Sequence, residues 1–535
     1  MLLGHVISNT ALRHPERDAI IFGEQHTRFS ELDDRMNRIA NGLRQIAEDG
    51  ARIAVLSRNR PEVIELQHAV PMAGMGCVFV NYRLTPREVA YILQNSGAAV
   101  IAVSQEFENA IRGLRDQLPD LRTVITLDEP QAGTAGQAPD GAFGEDGILS
   151  YSQLATFEDD TPAGAGVDPN SLAWLVYTSG TTGRPKGAML SHANIIAAVA
   201  NSLGGAPSQP FGRYINPFPL CHIAAYGMPT QFADKSTVVL QEAFEAEDYM
   251  RTIQDLEITA SSIAPVMLGL ILSRPELDSY DVTSLRHISY GASSISPDLL
   301  RKSLKRFSNA EFFQAFGMTE LAGNVAWMSH EWHLKGLEQP EILSAAGVTA
   351  PFAGIRIADP LDQPVANGEV GEIQVRADQA MIGYWQNEEA TREAFAGEWY
   401  KTGDLGRMTD EGLLYVVDRK KDMILTGGLN VYSREVEDVL AEHPDIQDVA
   451  VIGVPEEIWG ESVCAVIVRR PGSQLTAAEV TAFVKENLAS FKKPKYVEFV
   501  DELPRNHTGK VLKRQLRQSY EHIAATAAET KGASL

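Results

Sequence analysis

Residues 172–192 read LAWLVYTSGTTGRPKGAMLSH. An apolar strand pattern, Leu172 to Tyr177, runs straight into Thr178-Ser179-Gly180-Thr181-Thr182-Gly183-Arg184-Pro185-Lys186-Gly187. Glycine reaches positive φ without penalty, so the N–H groups of such a loop can converge on phosphate oxygens. Four hydroxyls add donors, and Lys186 adds counter-charge. A Walker loop needs glycine five residues after Gly180, followed by Lys and Ser or Thr. Pro185, Lys186 and Gly187 stand there instead, which excludes a P-loop NTPase.

Outward from this loop the chain alternates helical and strand-like patterns. Ser30 through Ile46 reads as a helix capped by Ser30, with Leu32, Met36, Ile39, Ala40 and Leu43 on one face. Arg52–Leu56 and Ala98–Val103 read as short buried strands, and helices between such strands indicate a parallel α/β sheet. Residues 130–147 and 158–170 are rich in Gly, Ala, Pro and Asp and read as exposed loops. From about Val348 to Val417, short strands punctuated by Gly and Pro indicate an antiparallel, barrel-like subdomain. Beyond Asp418 a smaller α+β unit begins, with strands near Val449–Val454 and Ser462–Val468, and the tail from Ala524 reads as frayed.

Composition sets the outer limits. At 535 residues, 44% hydrophobic and 22% charged, the chain is a multidomain enzyme-like protein, not a disordered or fibrous one. Its longest apolar run, Ala69–Val80, is too short to span a bilayer, and its start lacks a signal-peptide pattern. Three scattered cysteines exclude a disulfide framework and a thiolate zinc site, so a cytoplasmic location is expected. A net charge of −23 argues against nucleic-acid binding. Residues 485–517, with nine basic and four acidic side chains, stand out as a local polyanion site. His330-Glu331-Trp332-His333 is one residue short of the zincin spacing, no Gly-x-Ser-x-Gly elbow exists, and Gly74-Met75-Gly76 lacks a third Rossmann glycine.

Four further motifs follow the loop in order: Gln314-Ala315-Phe316-Gly317-Met318-Thr319-Glu320, Tyr400-Lys401-Thr402-Gly403-Asp404, Asp418-Arg419-Lys420-Lys421-Asp422 and Pro504-Arg505-Asn506-His507-Thr508-Gly509-Lys510. With YTSGTTGRPKG, they make the chain resemble the adenylate-forming superfamily of AMP-forming acyl-CoA synthetases, adenylation domains and luciferases. The pattern is nearest to fatty-acyl and aryl-CoA ligases. The resemblance implies an α/β N-terminal domain (residues 1–418) of two layered subdomains plus a β-barrel-like one. A small mobile α+β lid (419–535) would follow a hinge at 418–422.

The same resemblance implies the site. Thr178, Ser179, Gly180, Thr181, Thr182, Gly183 and Lys186 would cradle the phosphates of ATP, and Glu320 with Thr178 would hold Mg2+, a hard cation that prefers oxygen. Gly291, Ala292, Gln314, Phe316, Gly317 and Thr319 would bind the nucleotide, with Gly291-Ala292 and the Phe316 ring at adenine. Phe316 stands where many relatives carry Tyr. Asp404 would hold the ribose, with Arg419 and Lys421 beside the nucleotide. Lys510 would be the catalytic cation between the attacking carboxylate and the α-phosphate.

Phe218–Gly227 matches the acyl-pocket motif, with His222 as its gate. The segment has no acidic residue, which argues against an amino-acid substrate with its ammonium group. Ala224, Ala225, Gly227 and Gly323 leave room for a large apolar group. Gly427 and Gly428 would line the pantetheine tunnel of coenzyme A, and the basic stretch would meet its phosphates. The expected reaction joins a medium- to long-chain fatty or other apolar acid to coenzyme A through an acyl-adenylate, releasing AMP and pyrophosphate. The alternatives are an aryl-CoA ligase of the cinnamate or benzoate type, or a fatty-acyl-AMP ligase serving a carrier protein. A homo-oligomer is compatible with either.

Overall fold

Apolar residues fill all five positions of Gly76–Val80 and all four of Val100–Val103, and each position is buried. Strands buried on both faces belong inside a parallel sheet. The computed structural model describes residues 1–128, 148–178, 185–206, 208–222, 224–291, 295–426, 429–456, 460–505 and 511–523. Strands Gly76–Val80, Arg52–Leu56, Val100–Val103, Thr123–Thr126 and Ile148–Ser150 pair in parallel. Leu172–Thr178 joins this sheet in parallel beside Gly76–Val80.

A second layered sheet holds parallel strands Asp18–Phe22, Thr237–Leu240, Arg213–Asn216, Ala260–Ile263, His287–Gly291 and Glu311–Met318 in that order. At Glu311–Met318 the direction changes, because Gly323–Met328 returns antiparallel to it. Strands Ala353–Ala358, Gly371–Ala377, Trp399–Met408 and Leu413–Arg419 then lie side by side. The fold is mixed α/β, with a large N-terminal domain and a small C-terminal one.

Two compact units divide the chain. The larger comprises Met1–Ile355, Val375–Tyr400 and Glu411–Leu414, and the smaller Arg356–Gln374, Lys401–Asp410 and Tyr415–Leu535. In the smaller unit Ile446–Glu456 and Gly460–Arg469 form a long antiparallel pair, with Tyr496–Phe499 added in parallel. Alternate side chains of this pair feed two separate apolar clusters, one around Val451 and Ala465 and one around Ile452 and Cys464. Among the described residues no helix is long and apolar enough to cross a membrane.

The first long helix needs a correction. It runs Phe29–Ile46, with the expected face of Leu32, Met36, Ile39, Ala40 and Leu43 buried, but Ser30 is not its cap. Arg28 occupies that position, and its N–H is held by Glu31 Oε2 at 2.8 Å. The Ser30 hydroxyl donates instead to the Pro15 carbonyl at 2.9 Å. The segment 158–170 is largely exposed, as its composition implies, whereas 130–147 and the tail from Ala524 lie outside the described residues.

Candidate active site

The strand Leu172–Thr178 does not lead from the loop into a helix. The chain returns as Lys186–Ser191, antiparallel, with Thr178 opposite Lys186 and Tyr177 opposite Gly187. Leu172–Thr178 and Lys186–Ser191 are therefore the paired arms of a β-hairpin, joined in sequence by the glycine-rich run. Ser179, Gly180, Thr181, Thr182 and Gly183 lie outside the described residues, but both ends of the run are placed. Small side chains make the pairing possible: a Cβ at Gly187 would stand 2.8 Å from Leu175.

Around this hairpin end the larger unit collects hard oxygen donors. The short turn of helix Thr319–Leu321 presents Glu320, whose Oε1 accepts from the Thr178 hydroxyl at 3.1 Å and from the Tyr384 hydroxyl at 3.1 Å. Its position is fixed from behind, since the Glu320 carbonyl accepts the Met381 N–H at 2.8 Å. Lys186 Nζ lies 5.1 Å from the centroid of the Tyr384 ring, a cation–π contact. Burial first, and then the Glu320 carboxylate, push the Tyr384 phenol above its ordinary range. The sequence reading brought Thr178, Lys186 and Glu320 together but missed Tyr384. Tyr384 is placed by a two-residue strand, Gly383–Tyr384, that pairs with Met189 and Ala188, a long-range contact with no local sequence signal.

The adenine motif lies on adjacent strands. Gly291 is opposite Ala315, and a Cβ there would meet the Ala315 carbonyl at 3.0 Å. Gly317 is required by contact: its Cβ would fall 2.0 Å from the Gly323 carbonyl, at the bulge that follows Phe316. Phe316 is half-buried at that bulge, and Thr319 follows directly. Gln314 is buried beside Tyr290. Ala292 lies outside the described residues.

In the segment expected to hold the acid, Ala224 and Ala225 are buried, and a Cβ on Gly227 would meet only the Tyr214 hydroxyl, at 4.0 Å. Gly323 is different. Its φ of +129° is a backbone that L side chains avoid, so glycine there serves the turn more than the pocket. Two side chains the sequence did not single out hold this segment. Asn59 Nδ2 donates to the Phe218 carbonyl at 2.8 Å and its Oδ1 accepts the Leu220 N–H at 2.7 Å, while Gln67 Nε2 reaches the Leu220 carbonyl at 2.8 Å. His222 follows in the same turn, half-buried, with its N–H on the Pro219 carbonyl at 3.2 Å.

In the smaller unit Asp404 and Arg419 meet, with Arg419 Nε 2.7 Å from Asp404 Oδ1 and the carboxylate almost fully buried. Gly403, at φ +71°, turns the chain so that its carbonyl takes the Lys420 N–H at 2.9 Å. The hinge residues are held one by one. Asp418 accepts the Ser433 N–H at the start of helix Ser433–Ala441, Lys420 pairs with Glu372 at 2.8 Å, and Asp422 pairs with Arg517 at 2.7 Å. Lys421 alone in the run is exposed without an ion pair among the described residues. Gly427, Gly428 and Lys510 lie outside the described residues.

The expectation of a polyanion site at residues 485–517 is corrected. Lys492, Lys495, Arg505, Lys513 and Arg517 are each paired with an acid outside the stretch: Glu435, Glu456, Asp448, Glu437 and Asp422. Five of the nine basic side chains of the stretch are thus engaged by acids elsewhere in the smaller unit, so its excess charge is not a free patch.

Replacing Asp404 by Ala is expected to raise the KM for ATP by on the order of 10- to 100-fold, because unpaired ribose hydroxyls cost roughly 1–3 kcal/mol. Asp404→Asn, which keeps one acceptor, should lose less. Steady-state kinetics on variants checked for folding by circular dichroism decide this; an unchanged ATP dependence in Asp404→Ala would remove Asp404 from the nucleotide site.

Residues 7–385 match the family described as AMP-binding enzyme, and residues 435–510 match the AMP-binding enzyme C-terminal domain. A feruloyl-CoA synthase of Amycolatopsis sp is 34% identical over 510 residues, covering 95% of this chain and 96% of the relative. A medium/long-chain-fatty-acid–CoA ligase of Mycobacterium tuberculosis is 32% identical, covering 98% of this chain and 91% of its own. Among solved structures, o-succinylbenzoate CoA synthetase from Bacillus subtilis, in complex with its acyl-adenylate intermediate, superposes with a TM-score of 0.80 at 29% identity. That match covers 96% of this chain and 97% of the other. The two family domains occur in the order the five motifs demand, and this chain belongs to the AMP-binding enzymes of the adenylate-forming superfamily.

Proposed function

We propose that this enzyme ligates an apolar carboxylic acid to coenzyme A, consuming ATP and releasing AMP and pyrophosphate by way of an acyl-adenylate. The observation that carries the nucleotide half is the oxygen cluster of Thr178, Glu320 and Tyr384 at the end of the glycine-rich hairpin, with Lys186 beside it. A hydroxyl and a carboxylate on one hard-oxygen centre fit Mg2+, so Glu320 and Thr178 would hold the ion. When bound, Mg2+ neutralises phosphate charge. The hairpin tip and Lys186 would orient the phosphates, Phe316 would offer its ring to adenine, and Asp404 would accept from the ribose.

The acid would lie along the Phe218–Gly227 segment, which Asn59 and Gln67 hold in shape. His222 would stand at its mouth. Its lack of a carboxylate supports an uncharged acyl body, because an ammonium buried there would be unpaired. A fatty acid is the first choice. An aryl acid is the second, supported by a feruloyl-CoA synthase among the relatives and by the buried aromatic contact of Tyr226, within the segment, with Trp174, ring centroids 5.8 Å apart. We place the domain boundary at 418/419, with residues 418–422 as hinge, Arg419 and Lys421 near the nucleotide, and Gly427 and Gly428 along the thiol's path. The cytoplasm is the proposed location, where ATP and coenzyme A are both supplied.

A panel of acids assayed for AMP release, with and without coenzyme A, tests this. Fatty or aryl acids should far outpace acetate and any amino acid, each buried methylene adding up to ~0.8 kcal/mol until the pocket is full. Thioester should accumulate only with coenzyme A. Acetate or an amino acid as best substrate would sink the acid assignment, and acyl-adenylate that coenzyme A cannot discharge would point to a carrier protein.

A further inference from the structure

The His330-Glu331-Trp332-His333 run forms the start of helix His330–Glu338, and His333 is completely buried. His333 Nδ1 lies 2.8 Å from the Ser329 carbonyl, one turn back, a contact that only an Nδ1–H can make. Burial pushes the imidazole down to about 4, so near neutral pH the ring is uncharged and its Nε2 is an acceptor. That nitrogen lies 2.7 Å from the hydroxyl of Tyr290, itself buried. The hydroxyl's single proton therefore goes to His333.

The same hydroxyl lies 3.1 Å from Gln314 Oε1. With that oxygen facing it, two acceptors would meet with no proton between them. The two ends of a glutamine amide are nearly isosteric, and the hydrogen-bond network decides which is which. Turning the amide end for end satisfies every contact: Gln314 N–H donates to the Tyr290 oxygen, Tyr290 O–H to His333 Nε2, and His333 Nδ1–H to the Ser329 carbonyl. The Gln314 carbonyl oxygen is then the free end.

Gln314 is the register partner of Tyr290 on adjacent parallel strands, and Gly291 and Ala315 follow at the carboxyl ends of the pair. Ligands of open α/β sheets bind beyond that edge. We propose that His333, acting through Tyr290, fixes the Gln314 amide with its carbonyl oxygen toward the nucleotide base, where it accepts from the exocyclic amino group of adenine. His333 and Tyr290 are thus positioning residues for base selection, an inference resting on Gln314 as an adenine contact. Phe316 supplies a face with no base preference; the amide supplies the preference.

Calorimetric titration of the full chain with ATP and with inosine triphosphate, which carries a carbonyl oxygen in place of the amino group, tests the relay without turnover. The wild-type chain should bind ATP roughly tenfold tighter, the effect of one hydrogen bond gained or lost. In His333→Leu the Tyr290 proton has only Gln314 to serve, so the amide turns round and the preference moves toward inosine triphosphate by about tenfold. Tyr290→Phe keeps the shape but frees the amide, and should bring the two nucleotides to near parity; it carries the test should His333→Leu fail to fold. Gln314→Ala should abolish the preference. If Gln314→Ala does so while Tyr290→Phe retains the wild-type ratio, the relay is overturned and the adenine contact stands. A wild-type ratio in Gln314→Ala removes both.

Discussion

Lys510→Ala, at the proposed catalytic cation, is expected to slow acyl-adenylate formation by on the order of 10²–10³-fold, the usual cost of removing one preorganised charge or donor. The reason is electrostatic. Both the attacking carboxylate and the α-phosphate are anionic, and one ammonium bridging them lowers the cost of their approach. The residues on either side of 506–510 are tied to each other: Arg505 and Val511 pair as an antiparallel bridge, and the Leu512 N–H bonds the Pro504 carbonyl at 2.8 Å. Truncation at 510 should thus leave the small unit folded. The same variant should convert supplied acyl-adenylate and coenzyme A into thioester at near the wild-type rate. Single-turnover measurement of each half-reaction checks this, and equal losses in both would take Lys510 out of the adenylation step.

Lys421→Pro should do the reverse, keeping adenylation and losing thioester formation by a comparable factor. Lys421 sits in a turn closed by the Asp422 N–H on the Arg419 carbonyl at 2.9 Å. Proline there fixes φ and also restricts Lys420, so the backbone that would pivot between half-reactions can no longer do so. The neighbours cannot take over the motion cheaply. Arg419, Lys420 and Asp422 are ion-paired, and Asp418 is tied to the first residue of a helix. Gly428→Trp should resemble Lys421→Pro by blocking the path of the thiol. Adenylation and thioester formation lost together in Lys421→Pro would rule out a pivot at that residue.

Much of the fold was legible because burial writes itself into short sequence. Arg52–Leu56 and Leu172–Tyr177 are apolar runs of strand length, and both are strands. The return strand Lys186–Ser191 was not legible. It begins with a lysine and ends with a serine, and it exists because Leu172–Thr178 offers it a pairing edge. Ser30 misled as a cap because cap preference is a local bias, and a tertiary contact to Pro15 outweighed it. The excess charge of residues 485–517 was legible, but not that five of its side chains pair with acids 39 to 95 positions away. Within the site, Thr178 and Glu320 converge as the motifs imply, whereas Tyr384 and the Asn59 and Gln67 contacts are long-range and carry no local signal.

The hairpin return has an electrostatic corollary. In a phosphate loop that opens a helix, the aligned peptide dipoles place about half a positive charge at the anion, an effect confined to the first turn. Here the next helix begins only at His192, after the six residues of Lys186–Ser191, about 20 Å along the strand. A sheet contributes almost no net dipole of its own. A phosphate held at this end of the hairpin would gain nothing from the helix that follows it and would depend instead on Lys186, whose ammonium stands beside Tyr384. Such attraction would rest on a full ammonium charge, which reaches about a Debye length, roughly 8–10 Å, and weakens as salt rises, rather than on a terminus effect confined to one helical turn.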